Sequence, residues 1–534
     1  MLALPMLIYL KHQRYPLAQP EILVIFAGIA VVGLLLGLAM LLGRSPGLVI
    51  GTSALLIYVL DIQTSWLDRS AWLLPVVCVL AAGFCWLMRK HLSRMLFLIS
   101  AAMFVSTLVL PGGHPVIREG RFEAAAPGLT DLPLVLHLIL DEQTGIEGIP
   151  REFDPDRAIA DQMKDFYLEN DFQVFGRAYS RYWQTRDSVS NLLNFASNDT
   201  SVVFFGGRFE EGQLLRENAW FDRLHEQGFS IHVVQSDYML YHRGSDSDAA
   251  SGSDTGVTFT SQAIRPLIRT TLSTREKIPF IVGTYIELSE YLKRLDRLYR
   301  KIRTSRFGAV LHLPYFGGLD VTRVSPLAAM DAMAELKSLL NQAQPGQAIF
   351  GHVLLPHHPY ALDPDCGLEP RVERWLEFKE SAAHPQRNTR ESRAVRYPLY
   401  LDQLLCTQAL LGELFGILMA RGLWDSAIVV VHGDHGSRID MGSSSSHFVA
   451  HLNPSDFLDG HSTLFAVKRP GVPGSYDRRQ LPIDHLFRRL LVDEIPPGDP
   501  ELENNPFVLI RGQGFDGTTL VRQPMPGFDH GQAH

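Results

Sequence analysis

Ile428-Val429-Val430-Val431-His432-Gly433-Asp434-His435-Gly436 is the stretch on which the fold turns. Four apolar residues, three of them valines, run straight into an Asp-His pair set between two glycines. A short continuous apolar run of this kind reads as a strand of a parallel sheet, buried on both faces. Open α/β sheets place their chemistry at the carboxyl ends of such strands. Asp434 offers a hard oxygen and His435 a borderline nitrogen, a pairing suited to Zn2+ or Mn2+. The same residues also describe a strand followed by a glycine turn with an ion pair at its tip. A metal centre needs further ligands elsewhere in the chain.

The chain has 534 residues and a net charge of −8. Its first 110 residues are mostly apolar and nearly all the charge follows them, which separates a membrane part from a soluble part. The acidic balance gives no sign of a nucleic-acid partner. Glu21–Leu42, Leu48–Trp66, Ala71–Met88 and Met95–Leu110 are apolar runs, read as four spans of a hydrocarbon core that needs about 20 residues. Asp61 interrupts the second run near its end, where the interface is expected to solvate it. Met1–Leu10 is too short to span; it reads as the end of a fifth helix or as an interfacial segment. Arg89, Lys90 and Arg94 place the loop between the last two spans in the cytoplasm. Everything after Pro111 is then expected outside, which is the periplasm in a Gram-negative bacterium. The expectation is a multi-pass anchor of the bacterial inner membrane over residues 1–110.

Residues 111–131, rich in Gly, Pro and Ala, read as a tether. From residue 132 to 534 the pattern is that of one α/β domain. Leu134–Leu140 is a second buried strand, ending in Asp141-Glu142. Helical patterns at Arg157–Asn170, Glu217–Gln227 and Tyr397–Arg421 alternate with strands at Ser230–Val234, Ala348–Leu355 and Ile428, which predicts a mostly parallel sheet with helices on both faces. An insertion is expected over about residues 240–310. Within it His242–Thr258 reads as a mobile loop, and Leu288–Arg303 as a basic amphipathic helix, lying either on anionic headgroups or packed on the domain. Cys78 and Cys85 sit in apolar runs; Cys366 and Cys406 read equally as one disulfide or as free thiols.

Other ligand candidates stand at comparable places. Asp141 follows its strand as Asp434 does. Thr185 lies at an expected helix start, where a hydroxyl caps the helix or, beside a metal, becomes a nucleophile. Gly351-His-Val-Leu-Leu-Pro-His-His-Pro-Tyr360 brings His352, His357 and His358 to another strand end, as ligands or proton carriers. His447 and His461 follow Asp434-His435. His432 is expected on the opposite face of its strand and outside the site.

This ordered set resembles the alkaline phosphatase superfamily in its sulfatase-like, membrane-anchored branch, which includes phosphoethanolamine transferases and lipoteichoic acid synthase-type phosphoglycerol transferases. The residues carrying the resemblance are Asp141, Thr185 in Thr-x-x-Ser-Val, the His352-x4-His357-x-Pro pattern, Asp434-His435-Gly436 and His447. It implies an α/β alkaline-phosphatase-like domain behind a multi-span α-helical anchor. It also implies a divalent metal, Zn2+ first and then Mn2+ or Mg2+, on Asp141, Thr185, Asp434 and His435. Thr185 and His357 would be catalytic, and His352, His358 and His447 would bind substrate. The implied reaction moves a phosphoryl-linked headgroup from a membrane lipid to an envelope glycan or lipid through a phosphothreonine, with the protein acting as a monomer. Hydrolysis of a phosphodiester or sulfate ester is the enzymatic alternative, and an inactive membrane scaffold or lipid sensor the alternative of another class. Related transferases usually have Glu where this chain has Asp141, so Glu142 is an alternative or additional ligand. The Cys/Ser-x-Pro-x-Arg signature of true sulfatases is missing at Thr185-Arg-Asp-Ser-Val.

Overall fold

The structure, a computed structural model, describes residues 3–64, 71–92, parts of 94–105 and most of 132–529. The stretches 106–131, 206–213, 242–254, 305–324, 370–387, 443–451, 493–504, 513–518 and 530–534 lie outside the described residues. The tether, most of the expected fourth span and His447 therefore fall outside them. The chain forms two compact units, one of Met1–Pro115 with Gln262–Val324 and one of Val116–Ser261 with Ser325–His534.

The first unit contains α1 (Ala3–His12), α2 (Pro20–Leu42), α3 (Arg44–Thr64) and α4 (Leu74–Leu87). Of these, α2 and α3 are long and apolar enough to cross a membrane. The 14 residues of α4 reach about 21 Å at ~1.5 Å per residue, short of a hydrocarbon core. Pro75 stands in its first turn, where a missing N–H costs no helical bond. Also in this unit are α8 (Thr274–Glu287) and α9 (Glu290–Thr304). Asp61 is not solvated: it is fully buried and accepts hydrogen bonds from Ser289 Oγ at 2.6 Å and the Tyr291 amide at 3.0 Å.

The second unit is built on an eight-stranded sheet of order β4-β3-β5-β1-β6-β7-β2-β8. The strands are β1 (Val135–Leu140), β2 (Gln173–Tyr179), β3 (Ser230–Ser236), β4 (Thr255–Phe259), β5 (Gln347–Val353), β6 (Ile428–Gly433), β7 (Phe465–Lys468) and β8 (Ser475–Pro482). All neighbours are parallel except β7, which runs antiparallel to both β6 and β2. A separate antiparallel pair, β9 (Phe507–Arg511) and β10 (Leu520–Pro524), follows. Thr255–Phe259 corrects one expectation, since the end of the supposed mobile loop is an edge strand paired with β3. Polar neighbours hid it, because an edge strand needs only one hydrogen-bonded partner.

Side-chain alternation divides the core. Leu134, Leu136, Leu138 and Leu140 pack with α5 (Ala158–Glu169), α10 (Ser325–Leu340) and α11 (Arg390–Ala420) on one face. Val135 and Ile139 pack on the other face with α6 (Thr185–Leu193), α7 (Ala219–Glu226) and α13 (Ile483–Phe487). By composition α11 is apolar enough to span a membrane, but Leu404, Leu411, Leu414 and Leu418 are buried in this core. It starts seven residues before the expected Tyr397, at a Thr389–Ser392 capping box, and runs through Pro398. The remaining α12 (Pro454–His461) leads into β7.

Candidate metal centre and active site

The sheet order puts β1 between β5 and β6, and the register aligns their ends. Ile139 lies beside both His352 and His432, and Leu140 lies beside both Val353 and Gly433. Adjacent strands are about 4.8 Å apart, so Asp141 and Asp434, each one residue past its strand, stand side by side. Continued alternation sends both carboxylates to the α6 face, where Thr185 is the first helical residue. His435 closes the group: its Nε2 is 3.0 Å from Asp434 Oδ2, 3.7 Å from Asp141 Oδ1 and 3.2 Å from Thr185 Oγ1. His435 Nδ1 meets the Gly436 carbonyl at 2.9 Å, which fixes that nitrogen as donor and turns Nε2 toward the carboxylates.

These groups fit a divalent cation. Among the described residues, both oxygens of Asp141 and Oδ2 of Asp434 are buried without a hydrogen-bond partner, an arrangement that costs several kcal/mol unless a positive charge faces it. Burial, and then the nearby Asp434 carboxylate, push the pKa of Asp141 well above the usual range. Asp434 is pulled the other way: burial raises it, but His435, His352 and Thr185 together hold it below the usual range. Two facing carboxylates of this kind cannot both ionise without a cation between them. Asp141, Asp434 and His435 each place a ligand atom within 4.8 Å of the others.

Glu142 is not part of that group. The next residue in the alternation, it turns to the α11 side, where Tyr400 Oη donates to its carbonyl at 2.8 Å and accepts from the Thr144 amide at 2.9 Å. Its carboxylate lies 2.7 Å from Arg438 Nη2, 3.2 Å from His358 Nδ1 and 3.7 Å from His357 Nε2. Burial would raise its pKa, but His357, Arg438 and His358 together hold it well below the ordinary value. Glu142 and Arg438 both have left-handed backbones, φ 63° and 53°. Such strain in non-glycine residues costs on the order of 1–3 kcal/mol and persists where the surroundings enforce it.

The histidines therefore separate. His352 Nε2 is 3.8 Å from Asp141 Oδ2, and Tyr241 Oη meets its Nδ1 at 3.0 Å; burial lowers its pKa to about 4. His357 and His358 belong to the Glu142 cluster instead. His357 Nδ1 is 2.6 Å from the His358 carbonyl and so donates to it, leaving Nε2 as an acceptor. Burial lowers its pKa to about 3. Gln403 on α11 holds this loop from behind, accepting from the Ala361 and Leu362 amides and donating to the Pro356 and His357 carbonyls. A Cys366–Cys406 disulfide ties the same loop to α11. His461 donates from Nδ1 to the Ser180 carbonyl at 3.0 Å, and its Nε2 is buried with no hydrogen-bond partner among the described residues. His432 lies on the same face of the sheet as Asp434, not the opposite one expected, because residues two apart in a strand share a face; it is engaged instead with His137, Nε2 to Nε2 at 2.9 Å, and with the Gly433 carbonyl through Nδ1 at 2.7 Å. Ser188, the other hydroxyl near the helix start, donates to the Asp434 carbonyl at 2.6 Å, so it supports the ligand turn and Thr185 is left as the hydroxyl facing the ligands. Sequence reasoning missed Arg438, Tyr241 and Gln403; of these Arg438, three residues past His435, lay near a recognised motif.

Fold and site together define a mostly parallel α/β protein with an Asp/Asp/His centre and a helix-start threonine at the ends of its central strands. No protein-family model matches the chain, and no curated protein matches it by sequence. Among solved structures it is similar to the C-terminal periplasmic domain of EcEptC from Escherichia coli in complex with Zn, at 12% identity and TM-score 0.40 over 75% of this chain and 94% of that one. It is similar also to the periplasmic domain of phosphoethanolamine transferase EptC from Campylobacter jejuni (12% identity, TM-score 0.35, 68% and 89% of the two chains). A third is a protein in the alkaline phosphatase superfamily from Vibrio parahaemolyticus (13% identity, TM-score 0.31, 67% and 65%).

Proposed function

We propose that this chain is a metal-dependent enzyme that transfers a phosphoryl-linked headgroup, phosphoethanolamine or phosphoglycerol, from a membrane lipid to an envelope glycan or lipid, acting as a monomer. The observation that carries the reading is the Asp141/Asp434/His435 cluster with the Thr185 hydroxyl 3.2 Å from His435 Nε2. A divalent ion on Asp141, Asp434, His435 and Thr185, Zn2+ first among candidates, would supply positive charge that lowers the hydroxyl's pKa and offsets charge on the transferred phosphoryl oxygens.

The chain's own residues do the rest. The first-turn amides of α6 and its positive end favour a phosphate docked beside Thr185. Thr185 Oγ attacks phosphorus; the Oγ–P bond forms as the bond to the lipid alcohol breaks, and the proton that Thr185 gives up leaves on that alcohol. In the second half the acceptor hydroxyl attacks phosphorus, its P–O bond forms and Oγ–P breaks. His357, neutral and with Nε2 as acceptor, suits taking the acceptor's proton in this half, a proton that ends on Thr185 Oγ as the Oγ–P bond breaks. His352 orders the Asp141 side of the site, and His358 the Glu142 side. With water as acceptor the same steps make a hydrolase. The long apolar helices would keep the site's chain among lipid donors.

The test uses the full chain in vesicles with headgroup-labelled phosphatidylethanolamine or phosphatidylglycerol. Thr185→Ala is expected to lower turnover by about 10³-fold or more, and peptide mass spectrometry of the wild type stopped in acid should find phosphate on Thr185. Unchanged turnover in Thr185→Ala, or the adduct on Ser188, overturns the reading.

A further inference from the structure

We propose that α9 is a headgroup-level lipid-binding helix, with Leu295, Leu298 and Ile302 in the acyl boundary and Lys293, Arg294, Arg297 and Lys301 toward the phosphates of anionic phospholipid. This inference goes beyond the catalytic reading and does not rest on it.

Position is the first support. The chain leaves the catalytic unit after Ser261 and re-enters it at Ser325, and the segment between belongs to the compact unit of the N-terminal helices. α2 and α3 are joined at Gly43 and run antiparallel: Gly51 lies against Met40, and Leu55 lines one cavity with Gly33 and Gly37. The start of α2 and the end of α3 are therefore the same end of a hairpin. The inserted segment is held at that end. Tyr285 of α8 packs on Tyr9 of α1, with ring centroids 5.4 Å apart, and bonds Tyr58 Oη; the Ile264 amide reaches Gln13 Oε1 at 3.3 Å.

Asp61, one turn before the end of α3, fixes α9 itself. It accepts from Ser289 Oγ and from the Tyr291 amide, while Ser289 Oγ also accepts from the Leu292 amide at 3.3 Å. A buried carboxylate at a helix start satisfies orphan amides and the positive end of the dipole. That accounts for an acidic residue inside an otherwise apolar span. It also pins the first turn of α9 to the end of that span.

The faces of α9 name the occupant. Leu295, Leu298 and Ile302, spaced i, i+3 and i+7, are 46%, 54% and 41% exposed, so one apolar stripe faces away from the protein. The sides of α2 are similarly uncovered, with Leu23, Val31 and Leu35 more than half exposed. What covers those spans is lipid, and a stripe fixed at their end continues into it. By sequence α9 has 6 basic and 2 acidic residues, a net +4, and Lys293, Arg294, Arg297 and Lys301 are partly or fully exposed. Glu290 is already engaged with Lys293, Arg294 and Arg297. An apolar stripe beneath a cationic flank fits an anionic bilayer surface.

The test uses the full chain with Cys78→Ala and Cys85→Ala, leaving the Cys366–Cys406 disulfide closed. A spin label is placed at Leu298→Cys or, separately, Arg297→Cys, in nanodiscs of phosphatidylethanolamine and phosphatidylglycerol. Power saturation compares oxygen, which partitions into lipid, with a water-soluble nickel chelate. The oxygen-to-nickel ratio at 298 should exceed that at 297 at least threefold, and Leu295→Cys should repeat the result if Leu298→Cys folds poorly. In phosphatidylcholine discs, or with Arg294→Gln, Arg297→Gln and Lys301→Gln together, the ratio at 298 should fall at least twofold. A label at 298 reached by nickel as readily as at 297 overturns the proposal, as does one reached by neither reagent. A ratio indifferent to lipid charge overturns its anionic specificity.

Discussion

Arg438→Met should convert the Glu142 cluster into a second metal site. In the wild type the Arg438 guanidinium lies against Glu142, Nη2 at 2.7 Å and Nε at 3.1 Å from the same carboxylate oxygen. His357 and His358 complete a group that by geometry alone could hold an ion. Arg438 already supplies the positive charge there. At an effective dielectric of about 20, unit charges ~4 Å apart attract by about 4 kcal/mol. Removing one partner of such a buried pair typically costs about 3–5 kcal/mol, because the other charge is stranded. For a domain of this size that is roughly a 5–10 °C fall in Tm. The variant then has a buried carboxylate beside two imidazoles and lacks the guanidinium that offset it. Zn2+ at about 100 times its Kd would return about 2.7 kcal/mol. The expected outcome is one ion per wild-type chain and two per Arg438→Met chain by plasma mass spectrometry. A second expected outcome is a variant Tm that climbs with added Zn2+ well beyond the wild type's response. Two ions on the wild type, or one on a destabilised variant that Zn2+ does not rescue, would refute the reasoning.

Opening the Cys366–Cys406 bond with Cys366→Ser and Cys406→Ser frees a loop of sequence separation 40; chain entropy puts the loss near 4 kcal/mol, read as a lowered Tm that reductant does not lower further. His432 is held neutral, burial taking its pKa down to about 4, and His137 is shifted the same way by burial and by His432. Because the unfolded chain binds these protons and the folded chain does not, their contribution is full above about pH 6.5 and is lost as pH falls toward 4, by about 3 kcal/mol for His432 alone. Replacing both with leucine should flatten the Tm decline between pH 6.5 and 4.5; an unchanged acid limb would show that the pair is not its source.

Much of the architecture was legible because it is written in local patterns. The apolar runs at Leu134–Leu140 and Ile428–Val431 allow only strands buried on both faces, and they became the two central neighbours of the sheet. Strand ends are where side chains leave the sheet, so Asp141, Asp434 and His435 were visible as candidates without coordinates. Thr185 was visible as a hydroxyl at a helix start. What a linear pattern cannot carry is which face a residue takes and what reaches it from far along the chain. Side-chain alternation past Leu140 separates Asp141 from Glu142 by one residue and sends them to different clusters. Arg438 belongs to Glu142, 296 positions away, because two left-handed residues aim them at one another. Gln403 and Tyr400 act from α11 on backbone groups, which carry no residue identity to read. Asp61 shows the same division. By sequence it is an acid in an apolar run; by tertiary structure it caps a helix that begins 229 residues later, counting from 61 to 290. Composition and periodicity determined which elements form and which residue types end them. Sheet order, alternation and long-range hydrogen bonds decided which of those residues meet, since contacts between distant segments depend on the packed shape of the whole core.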